Sequence, residues 1–396
     1  MKKVKAVIGA NWGDEGKGLM TDFFCYEAFR NGDSCINVCT NGGAQRGHTV
    51  VTPSGVRHVF HHFGSGTFAH ADTYLPKEYI LNPMTFCKEW EELNELGYTP
   101  KVYVHPDCTW STPYDMMINQ IIEDIRDKER RGSCGMGIWE TVVRTSNETP
   151  IDYRKYSKVH ELVDSDDLYV SLFLNTLRRE YVPMRLKDCG GYIPDDWKDI
   201  IYSDTLLYRF RKDLEFMLNH ITIIPECVLN SYDVIVFENG QGLMIDQNAK
   251  GNIHNTTPSN TGIKNVYDTV GRVFDKCDVE VCYVTRTYAT RHGVGELDGE
   301  CDFREINMHL FDKTNVPNQY QGSIRYGKLD VEKMLDRVEN DFLSKKPYVH
   351  SNHHWHASIA ITHTNEYDIM DLKGIQCFFN VVYTSDDEDR NSVQKI

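Results

Sequence analysis

The sequence predicts an α/β fold: a large, mostly parallel central sheet flanked by helices, with a P-loop-like phosphate cradle at its first strand. Three observations carry that reading. Residues 4–8 are an apolar run that turns through Gly13, Gly16 and Gly18 into helical spacing over residues 19–28, the strand–turn–helix form of a phosphate cradle. Residues 232–237 are apolar enough for a central strand covered on both faces. Residues 279–285 repeat that pattern and run into a charged loop ending at Arg291. At 396 residues the chain can bury a substantial core. One unit over 1–396 is expected, with a helix-rich excursion around 150–230 and an acidic tail frayed from Asp386 onward.

Composition narrows the function classes. The hydrophobic fraction of 40% and charged fraction of 26% are ordinary for a globular protein. A net charge of −15 argues against general binding to nucleic acid or a membrane surface. No apolar run approaches the roughly 18 residues of a bilayer span. Met1-Lys2-Lys3 leads straight into a strand without a signal-peptide core. The twelve cysteines are scattered without a zinc or redox spacing, so free thiols and a cytoplasmic location are expected.

In the cradle, backbone N–H groups around Gly13 and Gly16 and the helix N-terminus favour phosphate, and Lys17 adds a mobile positive charge. An ordinary P-loop reads G-x-x-x-x-G-K-[ST]. Here Gly13 and Gly16 are three apart, and Gly18 replaces the Ser or Thr that holds magnesium. The metal question therefore moves onto Asp14 and Glu15. A second glycine-rich loop follows the predicted strand Cys35–Cys39 and places His48 directly after Gly47, where backbone can approach a ligand. Residues 84–131 read as two helices around a short strand, with Met116, Met117, Gln120, Ile121, Asp124 and Ile125 on one face, expected in the core. Glycines at 132–137 break the second helix, and Ser133 and Cys134 with neighbouring N–H groups can hold a monophosphate. Residues 150–230 are expected to pack on the sheet and shape a subunit interface. The strand 232–237 delivers Glu238 and Gln241 to its C-terminal end, where open α/β sheets place ligands. A buried Gln241 amide needs several partners. His350, His353, His354 and His356 fit no standard metal spacing and no carboxylate accompanies them in the sequence, so a solvated loop is expected.

The segments Trp12-Gly13-Asp14-Glu15-Gly16-Lys17-Gly18 and Gly47-His48-Thr49 resemble adenylosuccinate synthetases, which join aspartate to C6 of a purine nucleotide. His61-His62-Phe63-Gly64-Ser65-Gly66 is similar to the family's His-x-x-Pro-Ser-Gly turn. Gly132-Ser133-Cys134-Gly135-Met136-Gly137-Ile138 with Arg144 resembles its Gly-Thr-Thr-Gly-Arg-Gly-Ile segment and downstream arginine, with a shorter spacer. Phe237-Glu238-Asn239-Gly240-Gln241-Gly242 resembles Phe-Glu-Gly-Ala-Gln-Gly, and blocks at 256–261 and 289–295 follow in the family's order.

That resemblance implies roles. Asp14 takes the purine N1 proton and, with the Gly47 carbonyl, holds Mg²⁺; His48 and Lys17 serve the transferring phosphoryl group, and Gln241 meets the purine O6 edge. Gly13, Glu15, Gly16, Gly18 and Thr49 join the phosphate cradle. Gln45, Ser133, Cys134, Thr257 and Arg144 serve the purine monophosphate, Arg144 reaching a neighbouring subunit of a homodimer. L-aspartate falls to Arg291 and to Gly322, Ser323 and Arg325 of the loop 318–327, which has one arginine where the familiar enzymes carry several. The triphosphate base falls to Thr362, His363, Asn365, Thr384 and Ser385. A carboxylate at position 365 would pair with the two donors of guanine, whereas the Asn365 amide suits adenine's mixed edge and points to ATP or dATP over the family's GTP.

The expected reaction is ligation of L-aspartate to a purine nucleoside 5′-monophosphate. A nucleoside triphosphate drives it through a 6-phosphoryl intermediate. IMP is the family's default acceptor. The alternative is dGMP with ATP or dATP, as in viral aminoadenine pathways, favoured by Asn365, the short spacer before Arg144 and Gln45-Arg46 in place of Asn-Ala. Retention of Asp14 favours IMP, since some viral relatives carry Ser there. A non-catalytic nucleotide-binding protein would not need Asp14, Lys17, His48 and Gln241 together.

Overall fold

The computed structural model describes residues 2–249, 256–310, 322–344, 352–367 and 372–396. The apolar run at the N-terminus forms β1 (Lys2–Gly9), and the first cradle helix is α1 (Lys17–Arg30). They are followed by β2 (Cys35–Cys39), the hairpin β3 (His48–Val51) and β4 (Arg57–Phe60), and β5 (Asp72–Leu75). The segment read as two helices around a strand is α2 (Pro83–Glu95), β6 (Val102–Val104) and α3 (Pro113–Arg126), and α4 (Ile138–Thr145) follows the glycine break. Short helices fill the excursion up to Asp204–His220, and β7 (Thr222–Ile223) returns the chain to the sheet. Thereafter come β8 (Val234–Gly242), β9 (Cys277–Arg286), β10 (Ala289–Arg291), β11 (Glu300–Cys301), β12 (Arg325–Gly327), β13 (His354–Thr362), β14 (Val382–Thr384) and β15 (Gln394–Lys395).

Ten strands form one sheet in the order β15-β14-β13-β9-β1-β8-β2-β5-β6-β7. Every pairing is parallel except β14 with β15. The two runs read as buried strands, β8 and β9, flank β1 at the centre, where both faces must be covered. On one face α1 packs Met20, Phe24 and Cys25 against Val7, Val236 and Val284. The other face carries Val4, Ala6, Ile8, Phe237 and Tyr283 under Val266, Val270 and Met334. The excursion closes a separate apolar cluster in which Phe173, Phe210 and Met217 share a core with Val104 and Trp110.

Helix ends follow local chemistry. Thr112 caps α3 in a reciprocal capping box with Asp115, and Pro113 occupies the first turn. The buried stripe of α3 is Met117, Ile118, Ile121 and Ile122, so the core face is rotated from the expected one: Met117 and Ile121 are buried, Met116 and Gln120 half-buried, and Asp124 and Ile125 exposed. All twelve cysteines are free thiols. No helix among the described residues is long and apolar enough to cross a membrane.

The tail departs from expectation. Instead of fraying from Asp386, it adds β15 to the sheet edge, and the Ile396 N–H donates to the Val382 carbonyl at 2.9 Å. Arg390 reaches back to the buried Asp22 carboxylate of α1 at 2.8 Å and lies over the Tyr26 ring. Acidic composition predicted solvation, but one arginine that neutralises a buried acid ties the segment down. Burial raises Asp22 to about 7 against the opposing pull of Arg390. Arg390→Ala is expected to lower unfolding stability by about 3 kcal/mol, because it strands a buried charge. Chemical denaturation checks this, and an unchanged midpoint would mean the tail does not hold α1.

Candidate functional site

The C-terminal ends of β1, β8, β9 and β13 open onto a cavity of about 750 Å³, within the 300–1,000 Å³ usual for small-molecule sites. The glycine turn after β1 forms its floor. Gly13 and Gly16 have φ of 124° and 93°, and Gly16 starts α1. Asp14 also adopts a left-handed φ of 56°, which aims its partly exposed carboxylate at the cavity, 3.4 Å from His292 Nε2. Its carbonyl accepts a hydrogen bond from Arg286 Nε.

The two carboxylates considered for metal part company. Glu15 turns inward, accepts the Asn11 N–H at 2.6 Å, and is pushed up to about 7 by burial despite Lys17. Asp14 is the hard-oxygen donor left facing the cavity, which suits a magnesium ion. Lys17 is buried beside them; burial lowers its pKa, while Glu15, Asp14 and Glu238 oppose the shift. The missing P-loop hydroxyl has a steric cause. A Cβ on Gly18 would stand 2.6 Å from the Thr49 carbonyl and 3.3 Å from His48 Cβ. No side chain fits where α1 passes β3, and that close approach brings His48 to the cradle.

His48 is fixed from behind. Its Nδ1 lies 2.6 Å from Glu238 Oε1, in the middle of β8. The same carboxylate accepts from Arg46 Nη2 at 2.5 Å, from the Ser65 N–H at 3.1 Å and from the Ser65 hydroxyl. Burial opposes charge on Glu238, but Arg46, His48 and these hydrogen bonds outweigh it and hold the carboxyl at about 2. Arg46 Nε also lies 3.3 Å from His48 Nδ1. One nitrogen cannot donate to the carboxylate and accept from Arg46, and the shorter, charge-assisted bond prevails. Burial lowers His48 to about 4, with Glu238 opposing and Arg46 adding to the shift. The imidazole is therefore neutral at pH 7 with Nδ1–H on Glu238.

Gln241 reaches the cavity through a bulge. Between Val7 and Gly9 on β1, the partners on β8 run from Glu238 to Gly242. The intervening residues loop out, and Gln241 takes a φ of 60°. Its Oε1 is buried without a partner, as are both amide atoms of Gln45. A Cβ on Gly42 would meet Gln45 Nε2 at 3.5 Å and Gln241 Oε1 at 3.9 Å, so the two amides lie together. Such unsatisfied groups are costly unless a ligand pairs with them.

The remaining expected residues divide. Gly47, Thr49, Ser133, Cys134, Thr257, Thr362, His363 and Asn365 all line the cavity. Ser133 Oγ donates to Asn119 Oδ1 at 2.8 Å and accepts the Gly135 N–H at 3.2 Å. Thr384 and Ser385 do not line it; Ser385 is buried, bonded to the Asp387 carbonyl and Ser392 Oγ, and Asp386, Asp387 and Glu388 take the wall instead.

Arg144 is corrected. It is fully buried in its own subunit, grips Asp115 through Nε at 2.8 Å and Nη2 at 3.0 Å, and donates to the Trp110 carbonyl. It is not on a surface from which it could reach a neighbour. Arg325 is corrected as well. Its guanidinium forms a two-point pair with Glu300 at 2.8 and 2.6 Å and caps the Gly293 and Gly295 carbonyls. Gly322 and Ser323 are exposed and outside the cavity; residues 318–321 of that loop lie outside the described residues. Arg291 does line the cavity, over the Trp12 ring, and burial lowers its pKa, helped by Arg325.

Sequence reading missed Arg46 as the partner of Glu238, His292 beside Asp14, and Arg286 at the cradle carbonyl. The signal for the first was present: an acid closing an all-apolar strand requires a buried cation. Gly18→Ser, which restores the P-loop spelling, is expected to destabilise the protein by about 1–3 kcal/mol and to weaken nucleoside triphosphate binding. Denaturation and calorimetry check this; tighter binding in the variant would show that the approach of β3 is not limiting.

Comparisons with known proteins bear on the family and the fold. The adenylosuccinate synthetase family model matches residues 6–338. The adenylosuccinate synthetase of Lactobacillus acidophilus is 26% identical over 297 residues, covering 74% of this chain and 64% of that protein. That of Microcystis aeruginosa is 28% identical over 311 residues, covering 75% and 63%. The chain thus aligns with somewhat under two thirds of the length of these relatives. Two solved structures share the fold. The fully ligated adenylosuccinate synthetase of Plasmodium falciparum has a TM-score of 0.68 at 16% identity, covering 99% of both chains. The cyanophage S-2L succinoaminodeoxyadenylate synthetase, bound to dGMP and dATP, has a TM-score of 0.62 at 13% identity, covering 100% of this chain and 95% of that one. With the family model matched across most of its length, the chain belongs to the adenylosuccinate synthetase family.

Proposed function

We propose that the protein ligates L-aspartate to C6 of a purine nucleoside 5′-monophosphate at the expense of a nucleoside triphosphate. The observation that carries this reading is the convergence of Asp14, Lys17, His48 and Gln241 on one cavity floored by the glycine cradle. The purine 6-oxo group leaves poorly, so it is first phosphorylated. Asp14 accepts the N1 proton, charge collects on O6, and O6 attacks the γ-phosphorus as the nucleoside diphosphate departs. The aspartate amine then adds at C6 and inorganic phosphate leaves with the former O6.

The Asp14 carboxylate and the Gly47 carbonyl would hold Mg²⁺, which supplies charge neutralisation between the phosphates. Lys17 faces the same phosphates. With Nδ1–H on Glu238, His48 can donate from Nε2 only when doubly protonated. Phosphate charge brought into the cavity favours that second proton, so His48 acts as a donor in the ligand-bound site. The unpaired Gln241 Oε1 and the unpaired Gln45 amide supply partners for the purine edge. Arg291 is the cation placed for the aspartate carboxylate.

IMP is the acceptor this reading favours, as the family's substrate and because Asp14 is retained as base. A second reading, dGMP with ATP or dATP, is favoured by Asn365 at the cavity wall and by fold likeness to a synthetase bound to dGMP and dATP. Aspartate and Mg²⁺ are supplied with IMP or dGMP, crossed against GTP, ATP and dATP, and adduct is followed by absorbance. Adduct formation with IMP is expected, and it should vanish in Asp14→Asn while nucleotide still binds. Adduct from dGMP alone would establish the second reading. No adduct in any combination would overturn the ligase assignment, and full activity in Asp14→Asn would overturn the role given to Asp14.

A further inference from the structure

The end of the sheet opposite the cavity carries a second cluster of chemistry. His354 and His356 were expected in a solvated loop without a carboxylate. They instead open β13, two residues apart on one face of a strand. The parallel register sets Asp278 of β9 opposite His354 and Glu280 opposite His356. The carboxylate missing from the local sequence is therefore supplied by a strand about 75 residues earlier.

The geometry has the form of a ligand set. One ligand atom from each of Asp278, His354 and His356 lies within 4.8 Å of the other two. His354 Nδ1 is 2.7 Å from Asp278 Oδ1, and His356 Nδ1 is 3.6 Å from the same oxygen. A tetrahedral shell with bonds of about 2.0–2.1 Å separates its ligand atoms by about 3.3 Å, so small side-chain rotations would seat an ion.

Two further observations favour an ion over a simple ion pair. His356 Nδ1 is buried and has no hydrogen-bond partner, although it faces Asp278. Its other nitrogen, Nε2, lies 3.7 Å from Glu280 Oε2. Glu280 is itself held by Lys5 at 2.5 Å, Ser358 at 2.7 Å and Tyr383 at 2.9 Å. A carboxylate behind a ligating histidine, itself anchored, is the arrangement that orients imidazole toward metal.

We propose that Asp278, His354 and His356 bind a divalent transition metal of the zinc class, with Glu280 orienting His356. Two imidazole nitrogens and one carboxylate oxygen suit Zn²⁺ over Mg²⁺ or Ca²⁺, which prefer all-oxygen shells. The side chain of His354 is 72% exposed, so the remaining coordination position faces solvent and water fills it. The ion clips β9 to β13. Those strands carry Arg286 and Thr362 at their other ends, so the clip braces two walls of the cavity from below.

The test uses the full chain with exposed Cys227 and Cys377 replaced by serine, in millimolar Mg²⁺ to saturate oxygen-only sites. Zn²⁺ is titrated calorimetrically, and Co²⁺ is followed by its visible spectrum. One equivalent should bind with a nitrogen- and oxygen-ligated Co²⁺ spectrum, and Zn²⁺ should raise the melting temperature. His354→Ala, at an exposed position that leaves folding intact, and Asp278→Asn should each weaken binding about tenfold or more and abolish the thermal shift. Absence of stoichiometric binding, a thiolate-type Co²⁺ spectrum, or unchanged affinity in His354→Ala would overturn the site.

Discussion

The carboxylate of Glu238 is the joint on which the site depends. It sits fully buried in the middle of β8, and it accepts hydrogen bonds from Arg46, His48 and Ser65. Those donors come from two segments of the chain, residues 46–48 and the turn at Ser65. A carboxylate without solvent costs several kcal/mol unless it is paired and hydrogen-bonded, so the fold is constrained to bring Arg46 and the imidazole to it. The steric complement is Gly18. With no side chain there, α1 runs against β3 closely enough for His48 to reach both Glu238 and the cradle. Electrostatics pull from one side and close packing permits from the other.

This arrangement makes the departures from the P-loop pattern parts of one design. A hydroxyl at position 18 would hold metal but displace β3. Asp14 is lifted by a left-handed turn into the cavity while Glu15 folds beneath it. A bulge in β8 then turns Gln241 out of the sheet toward the same cavity. Asp14, the glycine cradle and Gln241 thus emerge from adjacent central strands β1 and β8, with short lever arms and little freedom to drift.

The strands at the centre of the sheet were legible because a parallel strand buried on both faces must be apolar along its length, as 232–237 and 279–285 are. The cradle was legible because backbone approach to phosphate requires glycine at fixed offsets. Partners separated by long stretches of sequence were not. Arg144 read as a reaching arginine, but Asp115 on α3 holds it inside. Arg325 read as a carboxylate clamp, but Glu300 on the neighbouring strand already occupies its fork. The histidines of β13 read as loop because their acid lies on β9, and the tail read as frayed because the buried Asp22 that holds Arg390 is over 360 residues away. In each case a local pattern was right about chemistry and silent about which opposite charge the fold would bring to it.

If the purine oxygen departs as phosphate, its fate can be followed by isotope. The protein would be given aspartate, Mg²⁺, a nucleoside triphosphate and its purine monophosphate carrying ¹⁸O at C6. Mass spectrometry of the released inorganic phosphate should find one ¹⁸O per adduct formed. Phosphate free of label while adduct accumulates would contradict a 6-phosphoryl intermediate and the roles given to Asp14 and His48.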